Sequence, residues 1–207
     1  MATLANLRTY VARDLRDTGN ATFSTAELDE LINQGIDALA DVQPTEVVQT
    51  FATVAAGVYT YAASSFGLIY RIDIYTSAGT YRATLPHGDG DGPNSGWEVH
   101  AGVVYLPPSY TFTAGDTLRA FGYGRYIQLS ATSDTTDLST SGIWAVRVFV
   151  QAEAFQRLMT DRAKFQQWQS DSNNTDVTAL HLGSLMGQAR ARWDRERGRM
   201  RRMRKLG

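Results

Sequence analysis

The feature that most restricts the fold is a change of hydrophobic period, from 3.6 residues to 2 near residue 46 and back to a helical period after about residue 134. Before the change, Leu4, Leu7, Val11 and Leu15 sit at helical spacing within residues 3–17. Asp17-Thr18-Gly19-Asn20 ends that run, with Gly19 expected as the left-handed residue beyond the helix. A second start signal follows: Ser24 as N-cap, Glu27 three residues on to complete a capping box, and Phe23 against Leu28 as a hydrophobic staple. Leu28, Leu31, Ile32, Ile36 and Leu39 then form one apolar face until Pro44. The pattern predicts two antiparallel helices joined by a six-residue turn.

The middle of the chain reads as short strands. Val47 to Val54 and Val58 to Ala62 flank Ala55-Ala56-Gly57 as one hairpin, and Leu68 to Thr76 and Thr80 to Leu85 flank Ser77-Ala78-Gly79 as a second. Trp97 to His100 and Val103 to Leu106 flank Ala101-Gly102, and Thr117 to Tyr123 follows Ala114-Gly115-Asp116. Six or seven strands at this spacing imply a small antiparallel sandwich or barrel. After a polar turn at Asp134 to Ser141, Ile143 to about Gln169 is helical, and its first half is apolar all round, as befits the centre of a helical layer. Ser170 to Asn174 breaks it, and a last helix starts near Thr175 and runs toward the C-terminus.

The fold class expected is therefore α+β: a bundle of about four helices with a long C-terminal helix or tail, and an inserted small antiparallel β-sandwich or barrel. The domains expected are 1–44 with 133–187 (helical), 45–132 (the β insertion) and 188–207 (a basic tail). A length of 207 residues with 43% hydrophobic and 20% charged residues suffices for a buried core. No run of 18 apolar residues is present, and the N-terminus lacks the basic-then-apolar order of a secretory signal, so no membrane association is expected. Without cysteine the chain has no disulfides, thiol catalysis or Cys-ligated zinc.

The net charge of −1 hides an asymmetry. Residues 188–207 hold eight arginines and one lysine against Asp194 and Glu196, a net of +7. That leaves 11 basic and 19 acidic groups in residues 1–187, a net of −8. A basic end on an acidic body points to a phosphate, an acidic membrane or an acidic protein surface. Met186, Ala189, Trp193, Met200 and Met203 form a heptad-like stripe broken at Glu196, with arginines on its flanks. An apolar stripe beside arginines favours docking to a protein, since methionines fill irregular apolar surfaces and arginines grip carboxylates. Nucleic acid and a solvated helix stay open as alternatives, and a membrane surface is the least favoured.

Enzyme chemistry finds no support. His87, His100 and His181 lack metal-ligand spacing, and there is no nucleophile elbow or phosphate-binding loop. Gly122-Tyr123-Gly124 lacks the third glycine of a dinucleotide fingerprint and reads as a strand exit. His87-Gly88-Asp89-Gly90-Asp91-Gly92 reads as a turn-rich loop rather than a calcium site, because Glu98 falls nine residues after Asp89 instead of eleven. Asp29/Glu30 and Asp134/Asp137 read as solvated or capping acids. No catalytic residue, metal or cofactor is expected.

The opening Leu7-Arg8-Thr9-Tyr10-Val11, then Phe23-Ser24-Thr25-Ala26-Glu27-Leu28 leading into Leu31-Ile32-Asn33-Gln34, resembles the start of tailed-bacteriophage head–tail adaptor (connector) proteins. The insertion with Gly57-Val58-Tyr59-Thr60-Tyr61 and Ala114-Gly115-Asp116-Thr117-Leu118-Arg119 is similar to that of larger adaptors, as is the return through Asp134-Thr135-Thr136-Asp137-Leu138. The resemblance implies a virion structural protein in the neck, assembled in the host cytoplasm. It implies a ring, commonly of twelve copies, under the portal, joined below to a stopper or tail-tube protein, with genomic DNA passing through without sequence recognition. It also implies that the C-terminal segment grips the portal, here through Arg190, Arg192, Trp193, Arg195, Arg197, Arg199, Met200, Arg201, Arg202, Met203 and Arg204. The tail tubular, fibre-attaching ring proteins of short-tailed phages are a close variant. Outside the resemblance, a nucleic-acid-binding protein using the arginine-rich end and a carbohydrate- or fibre-binding module on the tyrosine-rich insertion are the competing readings.

Overall fold

In the computed structural model of the chain the described residues are 2–17, 19–51, 58–88, 96–108, 110, 112–113, 115–171 and 175–206, the side chains of 171 and 201–206 excepted. The chain divides into two compact units, residues 1–43 with 126–207, and residues 44–125. Each has its own apolar core. The fold is mixed α+β with five helices and antiparallel sheets, and the described strands close no barrel.

The first unit is built by β1 (Ala2–Thr3), α1 (Leu4–Asp14) and α2 (Thr25–Ala40), then β9 (Thr135–Thr136), α3 (Thr140–Thr160), α4 (Arg162–Asp171) and α5 (Ala179–Leu206). The α2 start is the expected one. Ser24 Oγ accepts from the Glu27 N–H at 3.3 Å, Glu27 Oε2 accepts from the Ser24 N–H at 2.9 Å, and Phe23 and Leu28 are both fully buried. Burial works against the Glu27 carboxylate, yet hydrogen bonds from Lys164 and Ser24 outweigh it and hold its pKa below the ordinary value. The end of α1 differs from expectation. The helix stops at Asp14, and Arg16 (φ 55°) and Asn20 (φ 51°), not Gly19, take the left-handed conformation. Buried Asp17 organises the turn, its two carboxylate oxygens accepting from the N–H groups of Ala21, Thr22 and Phe23 at 2.9–3.2 Å.

Helix α3 lies at the centre of this unit and touches α1, α2, α4 and α5. Its buried Ala145, Val146, Val148 and Val150 explain why its first half reads as apolar all round. The long helix read as continuous from Ile143 to about Gln169 is in fact two. Asp161 adopts an extended conformation (φ −116°, ψ 101°) and its carboxylate accepts from the Lys164 N–H, ending α3 and starting α4. Ion pairs bind the helices together: Arg8 to Asp29 at 2.5 and 2.6 Å, and Arg147 to Asp14 at 2.7 Å through both carboxylate oxygens.

The second unit holds two antiparallel sheets. One has the order β2 (Thr45–Phe51), β8 (Thr117–Gly124), β4 (Leu68–Tyr75), β5 (Tyr81–Leu85); the other has β3 (Thr60–Ala62), β7 (Val103–Tyr105), β6 (Glu98–His100). The hairpins β4–β5 and β6–β7 form as expected, the latter through Ala101 (φ 50°) and Gly102 (φ 75°). The expected hairpin of the first two strands is not seen among the described residues, and its turn at 55–57, with residues 52–54, lies outside them. β2 pairs with β8, from Thr45 opposite Gly124 to Phe51 opposite Leu118, while β3 pairs with β7. Alternating burial along β2 and β8 fixes which residues face the core but carries no information about the partner strand.

Candidate partner-binding surface

α5 carries all eleven residues expected to meet a partner. Thr178 Oγ1 accepts from the His181 N–H at 3.3 Å at its start, and the helix then runs unbroken through the arginine-rich end, so no boundary isolates 188–207 from the helical unit. Its apolar stripe is spent inside this unit as far as Met200. Leu182, Ala189 and Met200 are buried in the common core, Met200 with 2% of its surface exposed. Leu185, Met186 and Trp193 pack against the same core, and the Trp193 indole meets Phe149 of α3 edge-on. The stripe was expected to stay free for a partner; instead it seats α5 on α3, because burying apolar surface within the chain needs no second molecule.

The arginines remain outside. Arg190, Arg192, Arg195, Arg197 and Arg199 are all exposed. Arg190 reaches α3, donating to Gln156 and lying 3.6 Å from Glu153. Arg197 pairs with Asp194 at 3.2 Å and Arg199 with Glu196 at 2.8 Å, one helical turn away. Arg192 and Arg195 make no ion pair among the described residues, and Arg195 Nε donates only to the Ala191 carbonyl at 3.3 Å. Arg201, Arg202, Met203 and Arg204 continue the helix; their side chains lie outside the described ones.

A family model for SU10 adaptor protein matches residues 2–204. The chain belongs to the SU10 adaptor protein family. That assignment agrees with the adaptor resemblance carried by the opening helices, the insertion and the return segment. No curated protein matches the chain. The matched span takes in both units of this SU10 adaptor family member and α5 as far as Arg204.

One feature of the surface was invisible in the sequence. A cavity of about 460 Å³ opens beside the first half of α5. Its floor is apolar, from Leu15, Phe155, Trp168 and Ala189, and Trp168 Nε1 is satisfied by the Leu15 carbonyl at 2.9 Å. Its rim is polar, from Arg16, Gln151, His181, Ser184, Gln188 and Arg192, and the Asp14 carboxylate there is already gripped by Arg147. Four separated stretches of chain build it, so no local motif announces it.

The other residues singled out by chemistry have structural roles. Asp29 holds Arg8, Glu30 holds Arg157, and Asp134 accepts from the N–H groups of Ser130 and Ala131 at 2.7 Å, which lowers its pKa. Gly122 and Gly124 are strand residues in close contact with neighbouring backbone. His87 lies edge-on to Trp97; the acidic residues of the loop that follows it lie outside the described residues. Among the described residues no group of three His, Asp or Glu could hold a metal ion, and no helix is long and apolar enough to cross a membrane.

Proposed function

We propose that this protein is a head–tail adaptor of a tailed bacteriophage virion, a structural component that performs no covalent chemistry. In this reading twelve copies form a ring in the neck, below the portal and above a stopper or tail-tube protein, and the ring continues the channel through which DNA leaves the capsid. The observation that carries it is the family match along nearly the whole chain, joined to a basic helix whose apolar side is spent internally as far as Met200 and whose arginines from Arg190 to Arg199 are exposed. Such a helix is a rigid rod of positive charge suited to a partner bearing carboxylates, since guanidinium–carboxylate pairs are directional as well as strong. The exposed arginines of α5 are therefore the portal-contacting residues, and Trp193 and Met200 contribute by holding the rod in place. The body's net charge of −8 disfavours wrapping of DNA but suits a channel wall along which DNA slides.

Size measurement of the purified protein with and without the portal protein tests this. A monomer or small oligomer alone and a ring on the portal is the expected result; failure to form any ring on the portal at any concentration overturns it.

A second reading has one observation in its favour. With the stripe consumed within the chain, the exposed face left over is the one a phosphate backbone would also need. Binding of duplex DNA that falls steeply with salt, and is lost when Arg192, Arg195 and Arg199 are replaced, would support it, because each neutralised phosphate releases counterions.

A further inference from the structure

His181, Ser184, Gln188, Arg192, Arg195 and Arg199 follow one another at intervals of three, four, four, three and four residues, so they lie on one stripe of α5. All six are exposed. The first four line the mouth of the cavity, and the last two carry the stripe onward as arginines. The cavity and the arginine row are thus consecutive parts of one surface, about 27 Å long at 1.5 Å per residue.

We propose that this stripe is a two-part docking site for an acidic segment of a partner protein that carries one bulky apolar side chain. That side chain enters the cavity over Leu15, Phe155, Trp168 and Ala189, and carboxylates beside it meet Arg192, Arg195 and Arg199. Two observations select this occupant. The cavity of about 460 Å³ has an apolar floor and room for an aromatic or long aliphatic side chain, and none of its lining side chains has a buried polar atom without a partner. The charge around it is cationic: Asp14 at the rim is neutralised by Arg147, whereas Arg192 has no ion pair among the described residues. The arginines sit about 4.5 and 6 Å apart along the axis, spacings that carboxylates on an extended segment or a helix both reach. An anchor in a pocket flanked by charged contacts is also the usual layout of a binding hot spot. This inference deepens the portal reading and rests on it for the identity of the partner, but not for the chemistry of the site.

The test uses the full chain and three fluorescein-labelled peptides: a run of glutamates with one tryptophan, the same run with serine for tryptophan, and the tryptophan peptide with lysines for glutamates. Anisotropy should show the tryptophan–glutamate peptide binding at least about tenfold more tightly than the serine peptide, and no binding of the lysine peptide. Ser184→Trp and Gln188→Trp each place a large side chain in the mouth from an exposed position and should leave the melting curve unchanged. Each should reduce the tryptophan peptide to the affinity of the serine peptide and leave the serine peptide as it was. Arg195→Glu should weaken both acidic peptides. Equal affinity of the two acidic peptides for the unmodified chain, or unaltered tryptophan-peptide binding in both cavity-filling variants, overturns the proposal. So does single-stranded DNA that displaces the tryptophan peptide from the unmodified protein and from Ser184→Trp equally well. Purified portal protein separates the two readings. Portal binding that survives cavity filling undiminished overturns the anchor, whereas peptide binding that responds as expected without any portal binding supports the site and removes the portal as its occupant.

Discussion

The Trp193 indole meets the Phe149 ring at a centroid distance of 5.3 Å and an angle of 73°, an edge-to-face contact that joins α5 to the central helix α3. Pairs of this geometry add about 0.5–1.5 kcal/mol to the area they bury. Trp193→Ala should therefore lower global stability by about 2 kcal/mol, less than for a fully buried tryptophan because Trp193 is only partly buried. Denaturant titration should show a lower midpoint with the slope unchanged, and amide exchange in α5 should accelerate. A variant of unaltered stability that nevertheless loses a partner would place Trp193 at an interface instead.

Arg147 and Asp14 make two parallel hydrogen bonds with both side chains mostly shielded, at 17% and 16% exposure. Arg147→Ala should cost about 2 kcal/mol, since the Asp14 carboxylate is left in a partly desolvated position without its partner. Arg147→Lys should recover only part of the loss, because an ammonium cannot reproduce the two-pronged geometry. Equal stability of the Lys variant and the parent chain would show that charge alone is required.

Acid should unfold the helical unit through identifiable groups. Glu27 and Asp134 both have lowered pKa values in the folded chain, so folding favours their ionised forms. Their contribution is complete above the ordinary carboxylate range of about pH 4 and is lost as pH falls through the lowered folded values beneath it. Glu27→Gln keeps a hydrogen-bonding side chain at the capping position but removes the charge that pairs with Lys164. Its melting temperature should be lower than that of the parent at neutral pH and should change less with acidification. Parallel curves for the two proteins would contradict the assignment.

Glycines should separate into two classes. A methyl group on Gly198 of α5 would meet nothing within 4 Å, so Gly198→Ala should stabilise the helix by about 1 kcal/mol. A methyl on Gly122 would lie 2.2 Å from the Leu68 carbonyl oxygen and 3.0 Å from the Ile69 Cα, backbone atoms that cannot step aside without separating β4 from β8. Gly122→Ala should cost about 3 kcal/mol, seen as an early melting transition of the β unit.

Residues 44–125 should be removable. Thr45 and Gly124 are opposed across the β2–β8 pair, so the chain enters and leaves this unit on adjacent strands, and a short Gly/Ser linker can join Gln43 to Tyr126. The shortened chain should keep helical circular dichroism. Collapse of the helices would show that the two apolar cores depend on one another.

Much of this fold is legible because its signals are local. Ser24 and Glu27 are three residues apart, and Ala101-Gly102 sits between the strands it joins, so their geometry follows from neighbouring residues alone. The pairing of β2 with β8 is not legible, since Thr45 and Gly124 are remote in sequence and alternation in either strand fits many partners. The break at Asp161 is not legible either, because the residues on both sides favour helix and only an extended backbone at one position divides them. For the site, periodicity correctly placed an apolar stripe on α5, but a stripe has the same spacing whether it covers α3 or a second molecule. The cavity needs Leu15, Phe155, Trp168 and Ala189 to converge from α1's end, α3, α4 and α5, which only the folded chain reveals.

The unbroken course of α5 has a mechanical consequence. Its seat on the core extends from Leu182 to Met200, about 27 Å of helix. Tension applied to the outer arginines along the helix axis loads that whole seat in shear, so its contacts must slide together before any one gives way. The same force applied at right angles peels them off singly, one after another along the helix. An attachment made through α5 therefore resists a lengthwise tug far better than a sideways one, and the direction of loading, more than the number of contacts, sets how much strain the joint withstands.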